Sequence, residues 1–181
     1  YSRPYLRLIF PTSVPSPEEI GASLSCFAAP GEQEPVAFSI RSLRDLKDVR
    51  VHCSALAGDG EAVIAPEHIA VRPVRYGRKK GQSRWGMFHV DEMVVPLYLS
   101  SAESVDLAGE TSQQYWITVR VPQDARPGTY RGTVTISAAD APETRLPLEV
   151  EVLPVHLIEP DTVYFGMYHR PVGDDEFRTA S

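Results

Sequence analysis

The sequence predicts an all-β protein, an immunoglobulin-like antiparallel β-sandwich of about eight strands, and three observations carry that expectation. In the run QQYWITVRVPQDARPGTYRGTVTISA (residues 113–138), Tyr115, Ile117, Val119 and Val121 alternate with Trp116, Thr118 and Arg120. That period of two, filled with strong β-formers, marks a half-buried strand. Pro122 stops it, Pro127-Gly128 supplies the fixed φ and then the positive φ of a turn, and Tyr130, Val134 and Ile136 resume the alternation, so the block reads as an antiparallel hairpin. Next, 16 Pro and 12 Gly stand against only three Met, which favours short strands between many turns over long helices. Finally, turn signals recur along the whole chain with no internal repeat of about 20–50 residues, which sets solenoids and propellers aside.

Taken in order, residues 1–21 form an N-terminal extension and linker, residues 22–158 the sandwich, and residues 159–181 a second linker and the first strand of a truncated following domain. In the first linker Ser16, Pro17 and Glu19 match a capping box with proline at the first helical position, so one helical turn is expected there. Residues 23–28 read as a strand. Val36, Phe38 and Ile40 mark the inward face of the next, and residues 46–54 form a third. The Gly58-Asp59-Gly60 run is a turn, without the third glycine, preceding strand and following helix of a phosphate-cradling loop. Residues 69–76 give another strand, residues 77–86 a basic loop, and residues 93–99 a strand whose Pro96 suits a sheet edge. Leu146, Leu148, Val150 and Val152 alternate with polar positions and close the sandwich. Behind Pro154 and Pro160, Val163-Tyr164-Phe165-Gly166-Met167-Tyr168 is a fresh apolar run followed only by polar sequence, expected to lie on the sandwich's outer face near Trp116 or on another copy of the chain.

A chain of 181 residues with net charge -6 offers no bulk attraction for a nucleic acid or an anionic membrane, and neither partner is expected. Its apolar runs are too short to span a bilayer. It begins at Tyr1 rather than Met and reads as a processed or trimmed product. Cys26 and Cys53 both fall in strand-like alternation, where a free thiol behaves as a small buried hydrophobe; sequence alone does not decide whether they pair.

Site chemistry is sparse. His52, His68, His89, His156 and His169 show no metal-binding spacing, no cofactor motif is present, and no Ser sits in a nucleophile elbow. The charge is nonetheless uneven: between His68 and Val90 there is no carboxylate, while Arg72, Arg75, Arg78, Lys79, Lys80 and Arg84 all fall there. Trp85, with Arg84, Lys80 and Tyr76, is therefore the ligand-binding candidate, an aromatic platform with donors that can stack on a sugar ring. The competing reading is a hairpin tip whose tryptophan covers the sheet edge or a neighbouring domain. The absence of any Asn, a common amide donor to sugars, weakens a lectin reading. Trp116, opposite Ile117 and Val119, is placed over a neighbouring strand or under a missing domain, and Tyr130 is expected to bury its ring and tie its hydroxyl to nearby backbone.

The runs APGEQEPVAFSIRSLRDLKDVRV (29–51), YWITVRVPQDARPGTYRGTVTIS (115–137), LPLEVEVLPVHL (146–157) and YFGMYHR (164–170) resemble, in that order, the N-terminal β-sandwich of bacterial proteins similar to glycoside hydrolase family 123. The sharpest element is V-P-x-D-A-x-P-G-x-Y-x-G from Val121 to Gly132. The resemblance implies a (β/α)8 catalytic barrel after the sandwich, opened by the C-terminal segment, with His169 at the rim of that barrel and, with Trp116, an interdomain contact. It also implies secretion or a periplasmic location, saccharide substrates and a non-catalytic accessory role for the sandwich, with an independent carbohydrate-binding module as the alternative. In such enzymes the sugar's acetamido group attacks its own anomeric carbon, assisted by an Asp-Glu pair on the barrel. Asp91-Glu92 and Asp175-Glu176 do not match that pair's position, so no catalytic residue is assigned here.

Overall fold

The computed structural model describes residues 1–2, 8–21, 23–82 and 89–157, with the backbone alone at 80–82 and 89–91. Two sheets face each other. The first holds β1 (Leu24–Ala28), β3 (Leu46–Cys53), β4 (Leu56–Ala57), β5 (Val63–Ile64), β8 (Val105–Leu107), β10 (Gly128–Ala138) and β11 (Ala141–Val152). Its order is β1-β11-β10-β3-β8, with β4 also on β10 and β5 on β4. The second sheet runs β2 (Gln33–Arg41), β9 (Ser112–Arg120), β6 (Ile69–Gln82) and β7 (His89–Leu99). All pairings are antiparallel except β1 with β11, which run parallel from Leu24↔Leu148 to Ala28↔Val152.

The core is made by the alternation read in the sequence. From β9 come Tyr115, Ile117 and Val119, joined by Val121; β11 supplies Leu148, Val150 and Val152; Val36 and Phe38 come from β2, and Leu24 and Ala28 from β1. At about 25 cal/mol per Å2 of apolar surface removed from water, each fully buried Val or Ile contributes roughly 1.5–3 kcal/mol. Phe38 and Tyr115, opposite each other in the β2–β9 register, stack at 5.6 Å with 15° between ring planes. Residues 8–14 are tied to the second sheet: the Ser112 amide donates to the Pro11 carbonyl at 2.8 Å and its hydroxyl to the Ser13 carbonyl at 2.7 Å. Ile9 is buried beneath this strap. The capping turn forms as a 3-10 helix, Pro17–Glu19, with the Ser16 amide bonded to the Glu19 carboxylate at 2.8 Å.

Two expectations are corrected. The strands on either side of the Pro-Gly turn are not a hairpin: β9 belongs to the second sheet and β10 to the first, so the connection crosses between sheets. Residues 121–127 include Pro122 and Pro127, which lack the amide a tight hairpin needs, and the Val121 side chain plugs the gap between the layers. Gly128 still has the positive φ that the sequence asks for, +145°. Secondly, the basic stretch is not a loop from Gly77 onward, because β6 continues through Gln82 and pairs with β7 from Val74↔Leu99 to Gln82↔His89. Bulges after Arg75 and Lys80 carry this ribbon past the part of β6 that pairs with β9. The strands β4, β5 and β8 were not expected. Cys26 and Cys53 are free, on β1 and β3, with β11 and β10 between them; Cys26 is level with Tyr130 of β10 and Cys53 with Val134, so they stand roughly 14 Å apart across the strands and about 13 Å along them.

Candidate functional site

The second sheet offers the site in the fold: the β6–β7 ribbon and the outer face of β9 beside it. Trp116 stands on that outer face, because its neighbours Tyr115 and Ile117 point into the core. It is half-buried in a groove of about 220 Å3 formed with Leu8, Val74, Pro96, Leu97, Tyr98, Leu99 and Gln114. Leu97 is laid across the ribbon onto Gly77, where an added Cβ would meet a Leu97 methyl and push that side chain aside. Met93 and Val94 beyond the groove, and Leu97 and Tyr98 on its wall, are exposed, Tyr98 by 61%.

Tyr76 lies opposite Pro96 in the ribbon, half-buried. Its hydroxyl is enclosed and faces the Gln114 amide without a well-formed hydrogen bond, and burial pushes the phenol up to about 12. Lys80 follows on β6, opposite Glu92 in register, and its side chain lies outside the described residues. Arg84, Trp85 and His169 lie outside them altogether. Tyr76 and Trp116 are thus brought to one neighbourhood by Gln114, while the rest of the expected ligand set is not placed. The exposed cations Arg75, Arg78 and Lys79 rim the ribbon, Arg78 standing 3.9 Å from Glu92. Residues missed by the sequence reading are Met93, Val94, Leu97 and Tyr98. Their signal was available: a strand apolar at consecutive positions is apolar on both faces, and an edge strand of that kind calls for a cover.

A second cleft of about 490 Å3 opens between β3 and β6, walled by Val51, Cys53, Ile69, Val71, Pro73 and Tyr115. The Tyr115 hydroxyl is buried with no hydrogen-bond partner, and desolvation holds its phenol well above the ordinary range. At the rim Arg50 is engaged by Asp48 at 3.0 Å and Glu103 at 3.8 Å. Among the described residues no group of His, Cys, Asp or Glu is arranged to hold a metal ion. Among the described residues no helix is long and apolar enough to cross a membrane.

This geometry defines a β-sandwich module with an apolar, cation-rimmed ribbon. The model of the glycoside hydrolase 123 N-terminal domain matches residues 13–138, and the chain belongs to that family. The fold is also similar to a family 123 glycoside hydrolase from Clostridium perfringens whose structure was used to study glycolipid glycan hydrolysis. That match has a TM-score of 0.65 and 17% identity, covering 75% of this chain and 23% of the enzyme, so the chain spans about a quarter of its length. Weaker likenesses, both at a TM-score of 0.33, are to the human CEP192 PapD-like domain 7 (19% identity, 85% of this chain and 99% of the other) and to the N-terminal domain of PorA (15% identity, 72% and 85%). No curated protein matches the chain in sequence.

Proposed function

We propose that this chain is a non-catalytic accessory sandwich that supports a downstream glycoside-hydrolase-like barrel of the same polypeptide, in a secreted or periplasmic enzyme acting on N-acetylated sugars. The observation that carries this reading is the family match over residues 13–138, which lies on the sandwich. The chemistry of the described surface agrees with it. Glycosidic hydrolysis needs two positioned groups, an acid and a base or nucleophile, flanking one bond. The two clefts flanking β6 present a buried phenol, an arginine paired with Asp48 and Glu103, and aliphatic walls, while Glu61 and Asp124 line a separate cleft of about 360 Å3 beside Arg126 and Tyr130.

The test has two arms on the purified chain. Aryl N-acetylglycosides should show no turnover; turnover abolished by Glu92→Gln would overturn the assignment. Isothermal titration with N-acetylated and sulfated sugars should show no saturable heat, and a saturable isotherm would move the module to the carbohydrate-binding class.

A further inference from the structure

We infer that the cleft between β3 and β6 is a binding site for a neutral, largely apolar small molecule carrying one hydroxyl or carbonyl group, with the Tyr115 hydroxyl pairing to that group. Three observations converge on it. The first is the opening itself. Val51 and Cys53 of β3 and Ile69 and Val71 of β6 pack against the core, yet each is only half-buried. The layers part along this margin and leave the cleft of about 490 Å3, a volume in the range of small-molecule sites. At the opposite margin the layers are closed, with Leu24 and Ala28 of β1 and Val36 and Phe38 of β2 all buried.

The second is the polar group in its wall. Tyr115 lines the cleft and is 2% exposed, with Phe38 of β2 stacked on its ring and Pro73 of β6 opposite it in register. Its hydroxyl is buried without a hydrogen-bond partner among the described residues, and burial alone raises its pKa. Phenylalanine would make the same apolar contacts, so packing does not account for the oxygen. A buried hydroxyl left unpaired is destabilising, and a ligand group that pairs with it offsets that cost. The hydroxyl is enclosed, so a ligand reaches it by parting the half-buried side chains of the wall, a change of rotamer rather than of backbone.

The third is what the walls exclude. Val51, Ile69, Val71 and Pro73 are aliphatic, and desolvation keeps the Cys53 thiol protonated, its pKa pushed up to about 11. At the mouth Arg50 is already engaged by Asp48 and Glu103. An ionic ligand would therefore lose its hydration against aliphatic side chains with no counter-charge set aside for it. A sugar would bring several hydroxyls to a wall that offers one partner. What fits is an apolar body with a single polar group, held by burial and oriented by one hydrogen bond. Such a site goes beyond an accessory role and does not depend on it, since a sandwich that supports a barrel carries this cleft on its own flank.

The experiment uses the two thiols of the full chain as reporters, because Cys53 lines the cleft and Cys26 lies on β1, three strands away. Alkylation by iodoacetamide at pH 8 is followed at each cysteine by peptide mass spectrometry, with 2-naphthol as the probe and 2-methylnaphthalene as its counterpart lacking the hydroxyl. Saturating 2-naphthol should slow Cys53 about tenfold and leave Cys26 unchanged. Half-protection by 2-methylnaphthalene should need about ten times the concentration, the worth of one hydrogen bond. In Tyr115→Phe, which keeps the ring and its stacking, the two probes should protect at the same concentration. No protection of Cys53, equal slowing of both cysteines, or equal protection by the two probes in the unaltered chain would overturn the inference. So would a preference for 2-naphthol that survives Tyr115→Phe.

Discussion

Tyr130 shows how one side chain can hold a crossing between sheets. Its ring is buried against Gly58, where an added Cβ would come within 2.9 Å of the ring, and its hydroxyl donates to the Arg126 carbonyl at 2.9 Å. Tyr130→Phe leaves that carbonyl without its partner, and a loss of about 0.5–1.5 kcal/mol is expected in urea denaturation. Gly128→Val should cost about 1–3 kcal/mol, since a β-branched residue cannot adopt φ +145° without strain; an unchanged midpoint would contradict the turn geometry. The thiols make a pH prediction. Desolvation pushes Cys26 and Cys53 from 9.0 up to about 11, with Glu34 adding to the shift at Cys26. Both groups are protonated in either state below about pH 9, so their stabilising effect is whole there. It fades as pH rises through about 11, because the unfolded chain ionises first. A disulfide reagent at pH 8 should therefore react slowly with the native chain and quickly in denaturant, and equal rates would refute the burial.

Among the elements, β3 carries an irregularity that β8 repairs. Asp48 sits at φ +53° in a bulge between Leu46 and Val49, and its amide donates to the Asp106 carboxylate at 3.0 Å while Lys47 holds the same carboxylate at 2.8 Å. The bond from Lys47, helped by that amide, keeps Asp106 below the usual carboxylate range. Its contribution is present above the ordinary carboxylate pKa and is lost as pH falls through the lowered value. Amide exchange in β8 should accelerate at acid pH relative to the β9 core, and Asp106→Asn should remove most of that dependence. What was legible at this scale is the inward face of β2, β9 and β11, because a burial period of two is written directly in side-chain type. The partner of each strand was not. The β9 and β10 patterns are the same whether the two strands pair or cross to opposite sheets, and only the length and proline content of residues 121–127 distinguish the cases. The Gly-Arg-Lys-Lys-Gly-Gln end of β6 hid from a propensity reading because its backbone is held by cross-strand bonds to β7, while β4, β5 and β8 are too short to show a period. Of the candidate site, Trp116 was placed on the correct face, whereas the exposed strip on β7 was missed because it was read only as an edge.

On the scale of the molecule, the sandwich closes without anything beyond β11, whose last core residue is Val152. Removing residues 159–181 should therefore leave a single cooperative unfolding transition. A broad or non-cooperative transition in that truncation would mean that the tail belongs to the core. The same architecture sets an order of assembly. The first core strand, β1, has its place only beside the last: Leu24 waits for Leu148, 124 residues later in the chain. At about 5–20 residues per second of synthesis, β1 is made roughly 6–25 s before its partner exists. During that interval Leu24 and Ala28 lack their final neighbours on β11. A growing chain of this protein therefore depends on whatever shields that strand at the ribosome, and a release of the nascent chain before residue 148 would leave β1 unpaired for any other edge to capture.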